Sequence, residues 1–187
     1  MRPRSFLSVR KALLGASFLF ILLLPSLPVH ASPFGQGVFG ADVPFGSATS
    51  LSINLGSNVS ISLAPSGANF SGTGSHTVTV TSTDVVGYTL YAHTTGSTNM
   101  VNNSATIAAS TNSTASALSV GTWGYNTTGD TTNFLGMGAT NSIIKDATGP
   151  FETGDPTTVT YGALVSNTQP AGNYSVAVTY TAVAKSE

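Results

Sequence analysis

Thr157–Ala184 reads TTVTYGALVSNTQPAGNYSVAVTYTAVA and contains the clearest structural signal in the chain. Apolar residues stand at every second position from 159 to 165 and again from 174 to 180. A turn-forming segment with Asn, Pro and Gly separates the two runs. Two runs with a period of two residues, joined by a turn, predict a pair of β-strands that each have one apolar face. Nothing in the stretch is chemically reactive, so we expect it to be scaffold.

Residues 1–31 predict a secretory signal peptide that is cleaved after Ala31. Basic residues precede a run of apolar and small residues from 12 to 24, and a small-x-Ala site follows. The predicted signal-peptide helix is shorter than the roughly 20 residues that span a bilayer. An uncleaved anchor is the alternative. We therefore expect a secreted, extracellular protein associated with the cell surface, with the membrane as a partner only before cleavage.

The charge balance changes when the signal peptide is removed. Only Lys145 and Lys185 remain as basic residues, and two basic minus seven acidic residues gives a net charge of about −5. Nucleic-acid binding needs clustered basic residues, so nucleic acid is excluded as an expected partner. The chain has no cysteine, so the fold must be held by its core rather than by disulfides.

The mature chain divides into an amino-terminal arm, residues 32–49, and one domain, residues 50–187. The arm is rich in Gly, Pro and Phe. It is interpreted either as a flexible lead-in or as a strand that docks on the sheet edge of a neighbouring subunit. The domain of roughly 138 residues has the size of one ordinary folding unit.

The domain is predicted to be all-β. Thr and Val favour strands, whereas Gly, Asn and Ser favour turns. Residues 51–55 and 59–63 alternate and predict a hairpin, with one long strand bulged at Gly56 as the alternative. Residues 76–81 and 88–93 predict a second antiparallel pair. Roughly seven to nine short strands at this spacing favour an antiparallel, immunoglobulin-like β-sandwich with Greek-key connections.

The residue types needed for catalysis are present but scattered. His76 and His93 belong to no hydrolase or metalloprotease motif, and the acidic residues show no calcium-loop spacing. Asp130 and Asp155 stand where turns are expected. We therefore expect no catalytic residue, no cofactor and no metal ligands, and hence no enzyme. A hydrolase whose site is built from loops, using either histidine, stays open as an alternative.

Trp123 and Tyr125 are the candidate site residues. They alternate on one predicted strand, and such aromatic side chains form either a platform for a sugar or part of a sandwich core. The loops between Asn126 and Pro156 are the expected place for any recognition.

Three pieces of the chain carry a resemblance to a family. They are Gly87-Tyr88-Thr89-Leu90, Thr122-Trp123-Gly124-Tyr125, and the run from VTYG at 159 through QPAGNY to VTYTA at 182. In order and spacing they resemble exported surface proteins of bacteria such as the Saccharibacteria, which implies an extracellular β-sandwich. More distantly, the layout is similar to the WxL cell-surface domains that bind peptidoglycan. This chain has Trp-Gly-Tyr where those domains have Trp-x-Leu, so no binding residue carries over.

Two functions follow as expectations besides the hydrolase. The first is a non-catalytic adhesion or cell-envelope-binding domain, with cell-wall glycan or a host surface as its partner. The second is a self-associating subunit of a surface fibre or surface layer, in which the arm joins neighbouring subunits.

Overall fold

The computed structural model of the protein describes residues 49–185, and the regular elements in that range are all β-strands. The predicted all-β class is confirmed. The predicted signal peptide, its cleavage site at Ala31 and the arm up to residue 48 lie outside the described residues. Between residues 49 and 185 no helix is long and apolar enough to cross a membrane.

Twelve strands are present in this range, and four of them contain only two or three residues. These short strands raise the number above the seven to nine that the sequence predicts. In chain order the strands are β1 (Ser50–Leu55), β2 (Ala64–Ser66), β3 (Asn69–Thr83), β4 (Gly87–Thr95), β5 (Met100–Asn102), β6 (Ala105–Ala109), β7 (Ser116–Ala117), β8 (Thr122–Asn126), β9 (Asn133–Phe134), β10 (Ser142–Thr148), β11 (Phe151–Ser166) and β12 (Ala177–Lys185).

Two sheets of unequal width enclose the core. The larger has the order β1-β3-β11-β8-β6-β5, with β2 beside β3, and the smaller has the order β10-β4-β12. β7 and β9 form a separate two-stranded ribbon. Buried residues of β3, such as Val78 and Val80, share one core with Tyr88 and Leu90 of β4. The arrangement is consistent with a sandwich, whereas the Greek-key connection stays a prediction.

Both strands predicted within Thr157–Ala184 form, although the second begins at residue 177 rather than 174, and they do not pair with each other. β11 pairs with β3 and β8 in the larger sheet, whereas β12 pairs with β4 in the smaller one. The hydroxyls of Tyr161 on β11 and Tyr180 on β12 meet across the interior at 2.5 Å. The predicted pairing is wrong because the two strands lie in opposite sheets, where their apolar faces are buried against each other, rather than next to each other in one sheet.

The pairing predicted for 76–81 with 88–93 fails for the same reason. β3 and β4 follow one another in the chain, but β4 pairs with β10 and β12. The bend between them includes Asp84 with φ of 61°, a left-handed conformation that Asp adopts more readily than most residues. This bend carries the chain from one sheet to the other, so both apolar faces reach the same core.

The predicted hairpin over residues 51–63 is wrong, and so is the single bulged strand. β1 pairs with β3 instead, and residues 57–63, which we call the crossing segment, form no strand. The crossing segment lies against the core-facing side of β3. A Cβ atom at Gly72 would stand 2.3 Å from the Ser62 carbonyl oxygen, and one at Gly74 would stand 2.6 Å from that of Ser60. Two glycines therefore admit the segment onto the face of the sheet.

A polar contact ties the two sheets together at the other end of β11. Asp155 lies within this strand rather than in the predicted turn. Its carboxylate accepts a hydrogen bond of 2.7 Å from the Tyr88 hydroxyl and pairs with Lys145 Nζ at 2.5 Å. Burial raises the pKa of Tyr88, and the neighbouring Asp155 raises it further by a smaller amount. The phenol therefore stays protonated and donates its hydrogen bond at neutral pH.

We expect Gly74→Ala to destabilise the fold by about 1–3 kcal/mol, because the added methyl group collides with the backbone of the crossing segment. Gly138→Ala is the matched control, since the nearest atom to its added Cβ is at an ordinary 3.8 Å. Urea unfolding measures the loss, and limited proteolysis reports whether residues 57–63 become accessible. Equal stability of the two variants would contradict the close approach.

Candidate functional site

Trp123 and Tyr125 are core residues. Their exposed fractions are 0% and 4%, and Trp123 Nε1 donates a hydrogen bond of 3.0 Å to the Thr98 carbonyl. The indole also contacts the ring of Tyr161. With both rings buried on β8, neither presents a platform to a ligand in this structure.

A groove of about 1100 Å³ lies beside the first residues of β12. Its floor is the core-facing side of the larger sheet, where His76, Tyr161 and Ile107 lie. The crossing segment forms one wall, and residues 172–180, which lead into β12, form the other. The volume slightly exceeds the roughly 300–1,000 Å³ of typical small-molecule pockets.

One wall of the groove is an open strand edge. Within residues 49–185, β12 forms a ladder with β4 alone. Alternate backbone N–H and C=O groups of an edge strand point away from its single partner. Paired backbone hydrogen bonds of 2.9 and 3.1 Å between Val101 and Ser175 link β5 to the chain just before β12. Of β12, residues 177–180 border the groove and, among the described residues, form a ladder on one side only.

A hydrogen-bonded chain of three side chains lies at the groove floor. His76 Nε2 is 2.7 Å from the Tyr180 hydroxyl, which is 2.5 Å from the Tyr161 hydroxyl. The backbone of Ser57 in the crossing segment lies close enough to the imidazole to raise its pKa. His76 thus lies between the crossing segment and Tyr180 of the opposite wall.

Burial sets the protonation of this chain. It lowers the pKa of His76, and the neighbouring Ser57 backbone offsets that only in part. Burial also raises the pKa of Tyr161 to about 12 and raises that of Tyr180 further. With both phenols protonated, each hydroxyl can donate one hydrogen bond and accept another, so the three side chains satisfy one another without an ionised group.

The groove lining contains no Asp, Glu, Lys or Arg. In the described part of the chain, neither histidine pairs with a carboxylate, and no cluster of three potential metal-ligating side chains occurs. His76 is on β3 and His93 is on β4, in different sheets. The structure therefore does not bring the two predicted histidines together. A neutral, partly apolar groove suits an uncharged ligand.

The segment between Asn126 and Pro156, where recognition is expected, is more regular than its sequence indicates. It contains β9, β10 and the start of β11. The buried Asn126 amide donates to the carbonyls of Asp130 and Asn133, at 2.7 and 2.9 Å. Donors from Thr132 and Asn133 lower the pKa of Asp130 to about 2. A smaller hollow of about 550 Å³ is lined in part by this segment. Recognition by the segment stays a prediction.

The sequence contains one unused signal for the groove. Gly72 and Gly74 precede His76 and Val78 at the same alternate positions of β3. Glycine in a strand often marks the close approach of another backbone. Where glycines replace apolar residues on one face of a strand, the pattern thus indicates that a backbone segment covers that part of the face, rather than side chains from the opposite sheet.

We expect Tyr180→Phe to destabilise the fold by about 1–3 kcal/mol, because it leaves His76 Nε2 and the Tyr161 hydroxyl without their shared partner. Tyr91→Phe on β4 is the matched control, since the Tyr91 hydroxyl makes no hydrogen bond to residues 49–185. Equilibrium urea unfolding compares the two. A Tyr180→Phe loss no larger than that of the control would contradict the hydrogen-bonded chain.

We expect His76 to make the fold less stable in mild acid. Because the folded pKa is lowered, the unfolded chain binds the proton more readily. The contribution is present above about pH 6.5 and is lost as the pH falls below it toward the folded pKa. The neighbouring Tyr161 and Tyr180 stay neutral throughout this range. Urea midpoints from pH 7.5 to 5.5 should fall less in His76→Gln than in wild type, and parallel curves would contradict this.

No family model and no curated protein matches this sequence. Among solved structures, the chain is similar to one described as "Chaperone-tip adhesin complex is vital for synergistic activation of CFA/I fimbriae biogenesis". The match has 14% identity and a TM-score of 0.46, and it covers 73% of this chain and 43% of the other. This chain thus spans less than half of that neighbour.

Proposed function

We propose that this chain is an exported, non-catalytic surface protein that binds an extended polypeptide segment in the groove. The segment enters as a strand beside β12, in the manner of β-strand addition. The observation that carries the proposal is the open edge of β12 beside an uncharged groove whose walls carry apolar side chains. Of the two functions expected from the sequence, this favours the subunit of a surface fibre or surface layer.

The chemistry of the groove defines the segment. Backbone groups of β12 supply hydrogen bonds that are independent of side chains. Half-buried Val59, Ile61, Val176 and Val178 form an apolar lining. A strand presents every second side chain to one face, so the preferred segment has apolar residues at alternate positions. Because the lining has no ionised side chain, the segment is uncharged on the face that it buries.

Export rests on the predicted signal peptide, and the low charge of the mature chain agrees with a surface role. An exposed strand edge invites association with other chains, and natural proteins usually protect such edges with charge or with a covering element. Here the edge borders an uncharged groove instead. An edge left open in this way favours a protein whose function is to bind a strand.

A second candidate, binding of cell-envelope glycan, has one observation in its favour. The rims of the groove expose hydroxyl and amide side chains, among them Ser57, Asn58 and Asn173. Such groups hydrogen-bond sugar hydroxyls without charge. Pull-down of residues 32–187 with isolated bacterial cell walls tests this candidate, and full recovery in the supernatant would exclude it for those walls.

The polypeptide proposal predicts binding of residues 32–187 to nine-residue peptides that carry Val, Ile or Phe at alternate positions. Peptides of the same composition with their apolar residues grouped together should bind more weakly. Val178→Lys places a charge in the groove and should weaken binding at least about tenfold, or ~1.4 kcal/mol. Fluorescence polarisation measures the affinities.

Val183→Lys is the matched control, because Val183 lies on the same strand, is 49% exposed and does not line the groove. It should bind like wild type. Thermal unfolding verifies that both variants are folded. Equal binding by both lysine variants, or no preference for alternating peptides, would contradict the proposal.

A further inference from the structure

The chain itself contains a segment that fits the groove. Residues 39–45, which precede the described part of the chain by three residues, read FGADVPF. The apolar members are Phe39, Ala41, Val43 and Phe45. They alternate with Gly40, Asp42 and Pro44, so an extended backbone would present all four to one face. This is the pattern that the groove selects.

The segment is long enough for the part of β12 that borders the groove. Seven residues in a strand extend over about 20 Å at ~3.3 Å per residue. The part of β12 that borders the groove is its start, residues 177–180. Residues 39–45 therefore contain enough residues to lie beside it.

Charge and hydrogen bonding agree with the same placement. Asp42 is the only ionisable residue among 39–45, and its alternate position turns it away from the neutral groove. Pro44, which has no backbone N–H group, stands at an even-numbered position like Asp42. Successive residues of a strand bond to opposite sides, so the placement that suits proline has the odd-numbered residues bonded to β12. Pro44 then faces the crossing segment, which forms no ladder, and proline is tolerated there.

The geometry of β1 favours a donor from another molecule. Phe45 precedes Ser50 by five residues, and β1 carries the chain about 17 Å from Ser50 to Leu55, where the groove begins. Five fully extended residues would also span about 17 Å. A segment of the same chain would have none left for the reversal of direction needed to return to the groove.

We infer that residues 39–45 of a second copy of this chain occupy the groove as an added strand. This rests on the proposed function and names its partner. Each copy donates its arm and receives another arm, so the contact is head-to-tail. A heterologous contact that does not close on itself produces an open fibre. The arm, residues 32–49, is thus the connector between subunits rather than a passive lead-in.

A complementation experiment tests the inference with residues 32–187. Val43→Asp places a carboxylate on the buried face of the donor and keeps a wild-type groove. Val178→Lys alters the groove and keeps a wild-type arm. Each variant alone should be monomeric by light scattering, whereas wild type should assemble. An equimolar mixture should form a heterodimer of twice the monomer mass and nothing longer.

Two controls use the same substitutions elsewhere. Val38→Asp changes the arm outside residues 39–45, and Val183→Lys changes β12 outside the groove, so both should assemble like wild type. Thermal unfolding verifies that the four variants are folded. A monomeric wild type, or a mixture that stays monomeric, would overturn the inference.

Competition with a synthetic peptide tests the inference without any substitution in the protein. A synthetic peptide of residues 38–46, in excess, should cap the groove of the wild-type chain and reduce its mass to that of the monomer. The same peptide with aspartate in place of Val43 should leave the assembly intact. Failure of both peptides would overturn the inference. If alternating peptides of other sequence still bind in a manner sensitive to Val178→Lys, the proposed function stands and only the identity of the partner is wrong.

Discussion

The unequal width of the two sheets is the constraint on which the rest of the structure depends. β3 and β11 are 15 and 16 residues long, and their core-facing sides must be kept from water. The smaller sheet has three strands, which is too few to cover the whole larger sheet. The crossing segment covers part of the remaining core-facing surface of the larger sheet. The groove lies over the part of that surface that no described strand covers.

The polar groups at this site explain how such an opening exists in a folded protein. A buried polar group without a partner costs about 1–3 kcal/mol, but Tyr161, Tyr180 and His76 hydrogen-bond one another. His76 then reaches the backbone of Ser57. The floor is therefore satisfied without a ligand, and the open backbone edge of β12 is what a partner would complete. Satisfied side chains at the floor together with an open backbone edge favour binding of another polypeptide backbone over catalysis.

The sequence indicates the strands better than it indicates their partners. The alternation over 159–165 and 174–180 correctly marks both strands and their apolar faces, yet the two strands lie in different sheets. The same holds for β3 and β4. The alternation does not predict the groove, because residues 57–63 alternate like a strand but lie on the sheet face at Gly72 and Gly74. The aromatic rings of Trp123 and Tyr125 are compatible with either a binding platform or a core, and burial places both in the core.

By itself, the sequence determined the all-β class, the face of each long strand that is apolar, and the low charge of the chain. These are local properties, because a period of two residues and the residue types need no information about distant parts of the chain. Only the tertiary structure decided which strands pair, which faces meet and where an edge stays open. Those outcomes depend on how two sheets share one core, and adjacent alternating runs are equally compatible with lying side by side or face to face. Tyr161 and Tyr180 lie face to face because both apolar surfaces are buried in that arrangement.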